Sequence, residues 1–567
     1  MSEEFQYNPL IAAAPAAGHL RLVPLGGLGE IGMNMMVYEY GDEIIVIDCG
    51  VMFPGEDTPG VDLIIPDTTY LEERKDKVKA FVITHCHEDH IGALPYILPK
   101  FDCPVYGTKL TLGLIQPKLK EHKLLGVLDL QIIKPRDMVQ VGEFMLEFIR
   151  VTHSTVDCIG IAVHTPIGTI MHTGDFKIDP TPVDDEKTDI FTLSRLGESG
   201  VLALLSDSTN VEKEGYTLSE RELGDNFDQI FANAKGRIIA ATFSSNIHRV
   251  QQLIDTAMKY ERRVIFAGRS MVSNIRIADE LGYMNFPSGI QGTLNDIHTL
   301  PDNRILLITT GSQGEAMSAL SRIALDDHKH VEIMEGDTVI ISARVIPGNE
   351  KSIARIINDL YRRGAEVIYE RVSEVHVSGH ASQEEQKLML NLVKPKMFIP
   401  IHGEYRHLVR HAQLAIKCGV DPDRVQVIEN GDVVELTDDT LEVIGHTSSG
   451  RVFVDGKGVG DVEDEVIRDR RHLAEDGFCI VTVALNRHTG EIISPPEVTT
   501  RGFIVEEAFA ELIAQAEQSA RDTLETIEPA IRKDNAELQE ALSRAVKKYL
   551  FKQTNRRPMV LTNIVEL

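Results

Sequence analysis

In the first part of the chain the hydrophobic positions fall in short runs bounded by turn residues, the pattern of β-strands, that at 43–48 of the buried type. Residues 20–25, 43–48, 80–84, 145–151, 168–171 and 201–205 are read as such strands, set in an alternating β and α order. From about residue 215 the rhythm changes to strand–helix units. Runs at 237–241, 263–267, 304–309 and 337–341 alternate with helical stretches such as 247–260, which predicts a parallel sheet. A further strand at 397–401 ends on His402. Residues 448–463, rich in Gly and Asp, are read as a linker. Beyond them a strand at 478–483 precedes a long helical region over about 505–551. There Leu538, Leu542, Ala545 and Tyr549 recur at helical spacing, predicting the packed face. Lys547, Lys548, Lys552, Arg556 and Arg557 cluster where cations complement the carbonyl end of a helix. This is read as a packed C-terminal module with a solvated basic end; RNA contact or oligomerisation through it is the lesser alternative.

Composition narrows the classes. At roughly 150 residues per domain, 567 residues suffice for three or four domains. With 43% hydrophobic and 25% charged residues the chain is neither disordered nor collagen-like. No apolar run approaches the roughly 18–20 residues of a membrane span. The acidic opening Met1-Ser2-Glu3-Glu4, with Pro15 interrupting the apolar patch that follows, gives no expectation of a secretory signal. Cys49, Cys86, Cys103, Cys158, Cys418 and Cys479 are scattered without a CxxC pair. Neither a disulfide framework nor a thiolate zinc site is expected, and a reducing cytoplasm fits. The net charge of −28 argues against a nucleic-acid partner only on average. Binding follows the local field, and metal ions can supply positive charge that side chains do not.

Gly27-Leu28-Gly29-Glu30-Ile31-Gly32 matches the dinucleotide fingerprint GxGxxG. That motif needs a helix to begin at its last glycine, whereas the next segment runs into a strand with a Gly41-Asp42 turn, so cofactor binding is not expected. The chemistry lies instead in Thr84-His85-Cys86-His87-Glu88-Asp89-His90, directly after a buried strand. Side chains at i and i+2 of extended chain point the same way, so His85 and His87 can grip one ion. Asp89 and His90 follow where the chain turns and can reach a second. Imidazole with carboxylate suits zinc or manganese. His153, Asp175 and His402 each follow a strand end and are further candidate ligands. Asp48, also at a strand end, is read as an acceptor that orients a histidine, and His172 as a neighbour of the site.

His85-x-His87-x-Asp89-His90, followed by His153 and Asp175, resembles the signature of the metallo-β-lactamase superfamily. The resemblance implies an αββα sandwich with two divalent metals, zinc with manganese or magnesium as alternatives. His85, His87 and His153 would hold the first ion, Asp89, His90 and His402 the second, and Asp175 would bridge them. The long gap from Asp175 to His402 accommodates a spliced second domain and, with it, a groove long enough for a polymer. Ser206-Asp207-Ser208-Thr209-Asn210, His376-Val377-Ser378-Gly379-His380 and Ile401-His402-Gly403-Glu404 resemble, in order, motifs of the β-CASP nucleases. With Ser244-Ser245-Asn246-Ile247-His248-Arg249, Gly268-Arg269-Ser270-Met271, Thr310-Gly311-Ser312-Gln313-Gly314-Glu315 and Thr499-Thr500-Arg501-Gly502-Phe503, the chain is similar to the bacterial ribonuclease J family from about Leu20 onward. The expected architecture is α/β: a metallo-β-lactamase domain in two parts (1–212 and 361–447), a β-CASP parallel-sheet insert (213–360), a linker (448–463) and a small α+β C-terminal domain (464–567).

Two neighbouring cations suit phosphodiester hydrolysis. His380 is the candidate general acid for the leaving oxygen, steered by Asp207, and these two with Asp89 form the candidate catalytic set. His376, Ser378, Ser244, Ser245 and Asn246 offer donors suited to phosphate, and with Val377 and Gly379 make up the candidate substrate-binding residues. The resemblance implies a 5′-monophosphate pocket here, hence 5′→3′ exonuclease and endonuclease action on single-stranded RNA in RNA maturation and decay. It also implies a homodimer or homotetramer through the C-terminal domain. The competing readings are a small-molecule metallohydrolase, which leaves the insert idle, and an inactive RNA-binding scaffold, which has no need of seven converging ligands. DNA remains a variant substrate, because no residue visibly reads a 2′-hydroxyl.

Overall fold

The structure, a computed structural model, describes residues 13–567 except 316, 347, 487, 488, 490, 506, 507, 529 and 530, and the backbone but not the side chain of Lys533. The acidic opening Met1–Glu4 lies outside the described residues. The chain divides into two units, one of residues up to 53 with 64–452, the other of 54–63 with 453–567.

In the first unit two sheets face each other. The eight-stranded sheet runs in the order Leu441–His446, Asp432–Leu436, Leu20–Gly26, Met35–Tyr40, Glu43–Ile47, Val78–Val82, Val105–Gly107, Leu130–Ile132. The six-stranded sheet runs Pro395–Ile401, Val201–Asp207, Gly168–His172, Ile159–Thr165, Phe144–Arg150, Met138–Val141. Between them Leu20, Leu22, Tyr38, Ile45 and Val82 of one sheet pack on Phe144, Phe148, Ile161, Leu205 and Ile399 of the other. Truncating an aromatic in such a core costs roughly 3–5 kcal/mol. On the far side of the six-stranded sheet, Met171, Leu204 and Phe398 are covered by Leu193, Met389, Leu390 and Ala415 of three helices, Ile190–Ser199, Gln383–Val393 and Tyr405–Lys417. Phe81, which points away from the core that takes Ala80 and Val82, meets Phe101 at 5.7 Å between ring centroids. Burial on both faces is why these strands read as continuous apolar runs.

The insert forms its own five-stranded sheet, Arg263–Ala267, Ile305–Thr309, Ile238–Ala241, Thr338–Ile341, Glu366–Ile368, parallel throughout. The chain leaves for it after Val201–Asp207 and returns into Pro395–Ile401, and these two strands are themselves paired in parallel. Both crossings are therefore tied to one rim. Helix Gln383–Val393, which begins just after His380, carries a capping box of Ser382 and Glu385. The buried Glu385 carboxylate also accepts from Ile178 N at 2.8 Å and Thr217 N at 2.7 Å, anchoring the return crossing to the chain that follows Asp175. The GxGxxG segment opens no helix. Its Leu28–Gly29 pairs with Gly403–Glu404, next to His402.

In the second unit, strands Ile492–Arg501, Phe478–Leu485 and Met559–Glu566 form a sheet whose one face is covered by helices Ala510–Thr526 and Asn535–Thr554. Three sequence readings change here. The expected linker contains a hairpin, with Arg451–Asp455 antiparallel to Gly458–Val459. The long helical region is two helices, because Ile527 is extended and Asp534 caps a new start, its side chain accepting from Ala536 N and Glu537 N. The packed face of the last helix is Leu538, Leu542, Val546 and Leu550, one residue round from Ala545 and Tyr549, which are only half-buried.

Candidate active site

Seven side chains converge where strands of both sheets end. Burial of the strand Val78–Val82 delivers Thr84 and His85 to the rim, and His87 is extended (φ −70°, ψ 151°) before the short helix Glu88–Ile91 turns the chain back. Asp48 and His402 each follow a strand in the left-handed region, at φ 64° and 54°, which turns the chain at the rim. There is no room for a side chain at Gly50. A Cβ there would lie 1.6 Å from the Asp89 carbonyl oxygen, and this close approach lets Cys49 N donate to His90 O at 2.8 Å.

The first group is His85, His87 and His153 with Asp175. His87 Nδ1 lies 3.0 Å from His85 Nε2 and 3.2 Å from His153 Nε2. The second is Asp89, His90 and His402, again with Asp175. Asp89 Oδ2 lies 3.6 Å from His90 Nε2 and 3.5 Å from His402 Nε2. One oxygen, Asp175 Oδ2, serves both groups: it is 3.8 Å from the Nε2 atoms of His85 and His153, 3.3 Å from that of His90 and 3.5 Å from that of His402.

Four of the five rings are aimed by their other nitrogen. His90 Nδ1–H donates to Asp48 Oδ2 at 2.7 Å and His153 Nδ1–H to Gly379 O at 2.7 Å. His85 Nδ1 bonds Thr84 Oγ1 at 3.0 Å, and that hydroxyl donates to Asp48 Oδ2 at 2.8 Å. His402 Nδ1 bonds Thr209 Oγ1 at 2.6 Å, and that hydroxyl donates to Asp207 Oδ1 at 2.7 Å. Two carboxylate–hydroxyl–imidazole relays thus hold one histidine of each group. Asp48 Oδ2 thus accepts from both the His90 ring and Thr84. Thr84 and Thr209 escaped the sequence reading although both lie inside the motifs quoted above. Asn34, whose amide donates to Asp89 O at 3.0 Å from 55 positions away, carried no sequence signal at all.

The donor set fits divalent cations. Nitrogens 2.0–2.1 Å from a tetrahedral ion lie about 3.3 Å apart, close to the spacing of the three imidazoles of the first group. Burial pushes the imidazoles of His85 and His153 well below their ordinary range and that of His87 down to about 4, so their lone pairs are free at neutral pH. In the second group burial acts the same way on His90 and His402. Asp175 above all, with Asp89 and Asp48 beside His90 and Asp207 and Asp89 beside His402, outweighs it and raises both well above the usual value. Burial opposes ionisation of Asp175, yet His402 and His90 hold its carboxyl well below the carboxylate range. Asp48, Asp89, Asp175 and Asp207 crowd negative charge around this centre, where a divalent cation supplies the compensation that protons on His90 and His402 otherwise give. His172 takes no part in either group. Its Nδ1 accepts from Gly174 N at 3.1 Å, and burial pushes it down to about 4.

His380 stands beside both groups. Its Nδ1–H donates to Asp207 Oδ2 at 2.8 Å, its ring stacks on His402 at 5.4 Å between centroids, and Nε2 is the ring nitrogen left to offer. The strap that carries it presses on His153: a Cβ on Gly379 would lie 2.6 Å from the His153 ring. Gly379→Ala is therefore expected to displace that ring and weaken divalent-metal affinity roughly 10–100-fold with circular dichroism unchanged, measured by metal titration.

The remaining candidates divide. Ser378 Oγ accepts from Asn210 Nδ2 at 2.8 Å, whose Oδ1 accepts from Arg344 Nη1 at 2.8 Å. His376 Nδ1 is buried and has no hydrogen-bond partner among the described residues. Burial first, then Arg249, Arg344, Lys213 and Lys177, hold that imidazole well below its usual range, so a neutral ring sits among cations. Val377 is buried apolar packing. Ser244 Oγ accepts from Asn274 Nδ2 at 3.0 Å, and Ser245 O accepts from Thr155 Oγ1 at 2.8 Å, two residues beyond His153. Asn246 is used at its acceptor end. Its Oδ1 caps helix Ile247–Lys259, accepting from Arg249 N at 3.0 Å, which leaves only the amide end available.

Residues 28–224 match the metallo-beta-lactamase superfamily and residues 364–424 the Zn-dependent metallo-hydrolase RNA specificity domain. Residues 235–360 match the ribonuclease J beta-CASP domain and 465–567 the ribonuclease J C-terminal domain. Ribonuclease J of Helicobacter pylori is 44% identical over 543 residues, 96% of this chain and 79% of that protein. Ribonuclease J of Thermus thermophilus is 44% identical over 557 residues, 97% and 95% of the two chains. Ribonuclease J2 of Bacillus subtilis is 40% identical over 549 residues, 97% and 99%. The chain belongs to the ribonuclease J family. It is a metal-dependent ribonuclease with a metallo-β-lactamase domain, a β-CASP domain and a ribonuclease J C-terminal domain, and the small-molecule and scaffold readings fall away. A crystal structure of a protein of unknown function from Enterococcus faecalis shares the fold, with a TM-score of 0.53 at 15% identity over 74% of this chain and 100% of that one. No helix among the described residues is long and apolar enough to cross a membrane.

Proposed function

We propose that this ribonuclease J uses two divalent cations, zinc by the chemistry of the donors, with manganese or magnesium as alternatives. His85, His87 and His153 would hold one, Asp89, His90 and His402 the other, and Asp175 would lie between them. The observation that carries this reading is the single oxygen, Asp175 Oδ2, within 3.3–3.8 Å of imidazole nitrogens from both groups. When bound, such ions supply Lewis acidity, acidifying water and neutralising the charge that builds on the phosphate. The protein's own part is positional. The Asp48 and Asp207 relays fix the rings, and His380, protonated on both nitrogens, would give its Nε2 proton to the leaving oxygen and be left neutral, while Asp207 keeps hold of Nδ1–H.

The substrate we assign is single-stranded RNA, degraded 5′→3′ from 5′-monophosphate ends and also cut internally, in RNA maturation and decay. We assign the end pocket to Ser378, His376 and the Ser244-Ser245 turn, because the buried Nδ1 of His376 has no hydrogen-bond partner among the described residues and sits among four cations. A cytoplasmic setting and a homodimer or homotetramer through the C-terminal unit complete the proposal. One assay tests the end pocket. Purified protein is given 5′-monophosphate or 5′-triphosphate RNA with metals added back singly, and products are sized over time. Monophosphate RNA is expected to shorten stepwise from its 5′ end. Ser378→Ala should slow that reaction several-fold more than internal cleavage, and equal losses would remove the pocket.

A further inference from the structure

Arg249 is fully buried, in the first turn of helix Ile247–Lys259, where a cation opposes the helix dipole. A guanidinium persists in such a place only when its neighbours hold it. Nε donates to Glu220 Oε1 at 2.7 Å, and Nη2 pairs with the same oxygen at 2.6 Å. Nη1 donates to Ser342 Oγ at 2.6 Å, to Ser342 O at 3.2 Å and to Val375 O at 3.2 Å. The Ser342 hydroxyl in turn donates to Val375 O at 2.6 Å.

These partners have a common meaning in the topology. Glu220 lies on the outbound crossing, between strand Val201–Asp207 and helix Leu223–Asn233. Val375 lies on the return crossing, directly before His376. Ser342 ends the insert strand Thr338–Ile341. One guanidinium therefore joins both covalent connections of the insert to the insert's own sheet. The network continues toward the metal-side loops. Glu220 N and the Ser219 hydroxyl donate to Asp179 Oδ2 at 3.2 and 3.0 Å, Lys177 Nζ pairs with that oxygen at 3.3 Å, and Lys177 N donates to Thr152 O at 2.8 Å, beside His153.

We propose that Arg249 is a positioning residue, a clasp across the two crossings that sets the strap His376–His380 against the metal-side loops and so fixes both His380 and the 5′-end pocket. It acts through Val375 and Ser342 and touches neither substrate nor the candidate metal ligands. A lysine cannot replace it, because a single ammonium does not span acceptors on three segments as the planar fork does.

The test compares wild type with Arg249→Lys and Ser342→Ala by amide hydrogen exchange, metal content and turnover of one RNA bearing either a 5′-monophosphate or a 5′-hydroxyl. Arg249→Lys is expected to keep its metal while exchange accelerates at both crossings, 207–222 and 373–380. Its preference for the monophosphate end should fall on the order of ten- to a hundredfold, the cost of small misplacements. Ser342→Ala, which spares Glu220, should loosen 373–380 alone, and it decides the matter if Arg249→Lys does not fold. Exchange unchanged at 373–380 in either folded variant, or metal lost in step with turnover, would overturn the clasp. The end-preference readout rests on the proposed pocket. Wild type without any end preference would refute that pocket, and exchange alone would then judge the clasp.

Discussion

Asp175→Asn is expected to lower RNA turnover by about 10³-fold or more while leaving the fold intact. The amide keeps the shape of the side chain and removes the charge that both imidazole groups share. Asp175 is 3% exposed, and its Oδ2 is the one carboxylate oxygen near the ring nitrogens of His85, His153, His90 and His402 together. Asparagine would also turn toward those rings an N–H₂ that competes for their lone pairs, or a carbonyl too weak to balance a divalent ion. The cores between and behind the sheets do not include Asp175, so circular dichroism and the thermal transition should stay close to those of the wild type without metal. Elemental analysis should show metal lost, with turnover on 5′-labelled RNA at background. Retained turnover would refute the assignment of Asp175 and the shared centre with it.

What the sequence makes legible follows from how local each signal is. His85, His87, Asp89 and His90 stand within six residues after a strand and identify themselves by density. His153, Asp175 and His402 are single residues, readable because each ends a buried strand and such strands have a strong hydrophobic signature. The residues that aim these candidate ligands are different in kind. Thr84, Thr209 and Asn34 are ordinary polar residues until the fold brings Asp48 beside Thr84, His402 beside Thr209 and Asp89 beside Asn34. Asn246 shows the converse: its position before a helix makes its Oδ1 the cap, a local role that donor chemistry does not announce, while Nδ2 is the end left to donate. In the last helix Ala545 and Tyr549 fit helical spacing as well as Val546 and Leu550 do. The choice is made by the sheet beneath, on which the buried stripe follows the i+4 ridge through Leu538, Leu542, Val546 and Leu550. The hairpin within 448–463 lies in chain whose Gly and Asp content also suits a tether, so composition could not reveal the pairing of Arg451–Asp455 with Gly458–Val459.

For His380→Ala the expected result is a fall in kcat of about 10²–10⁴-fold, with RNA affinity changed only a few-fold. The ring is half-buried and its Nδ1–H is committed to Asp207 Oδ2 at 2.8 Å, so only Nε2 can serve the substrate. Burial opposes ionisation of Asp207, yet the adjacent His380 and His402 hold its carboxyl well below the carboxylate range, which keeps it an anion able to orient the ring of His380 and to balance the charge that ring carries when both nitrogens bear protons. Asp207 Oδ1 meanwhile accepts from Thr209, the hydroxyl that aims His402. The two oxygens of one carboxylate thus orient the proposed proton donor and, through Thr209, a candidate metal ligand, which makes two variants separable. His380→Ala should keep its metal and lose turnover, whereas Asp207→Asn should weaken both. Single-turnover cleavage of labelled RNA, with binding measured separately by fluorescence anisotropy, distinguishes them. Equal losses of binding and turnover in His380→Ala would make His380 a residue that positions RNA, and the proton for the leaving oxygen would have to come from elsewhere in the cleft.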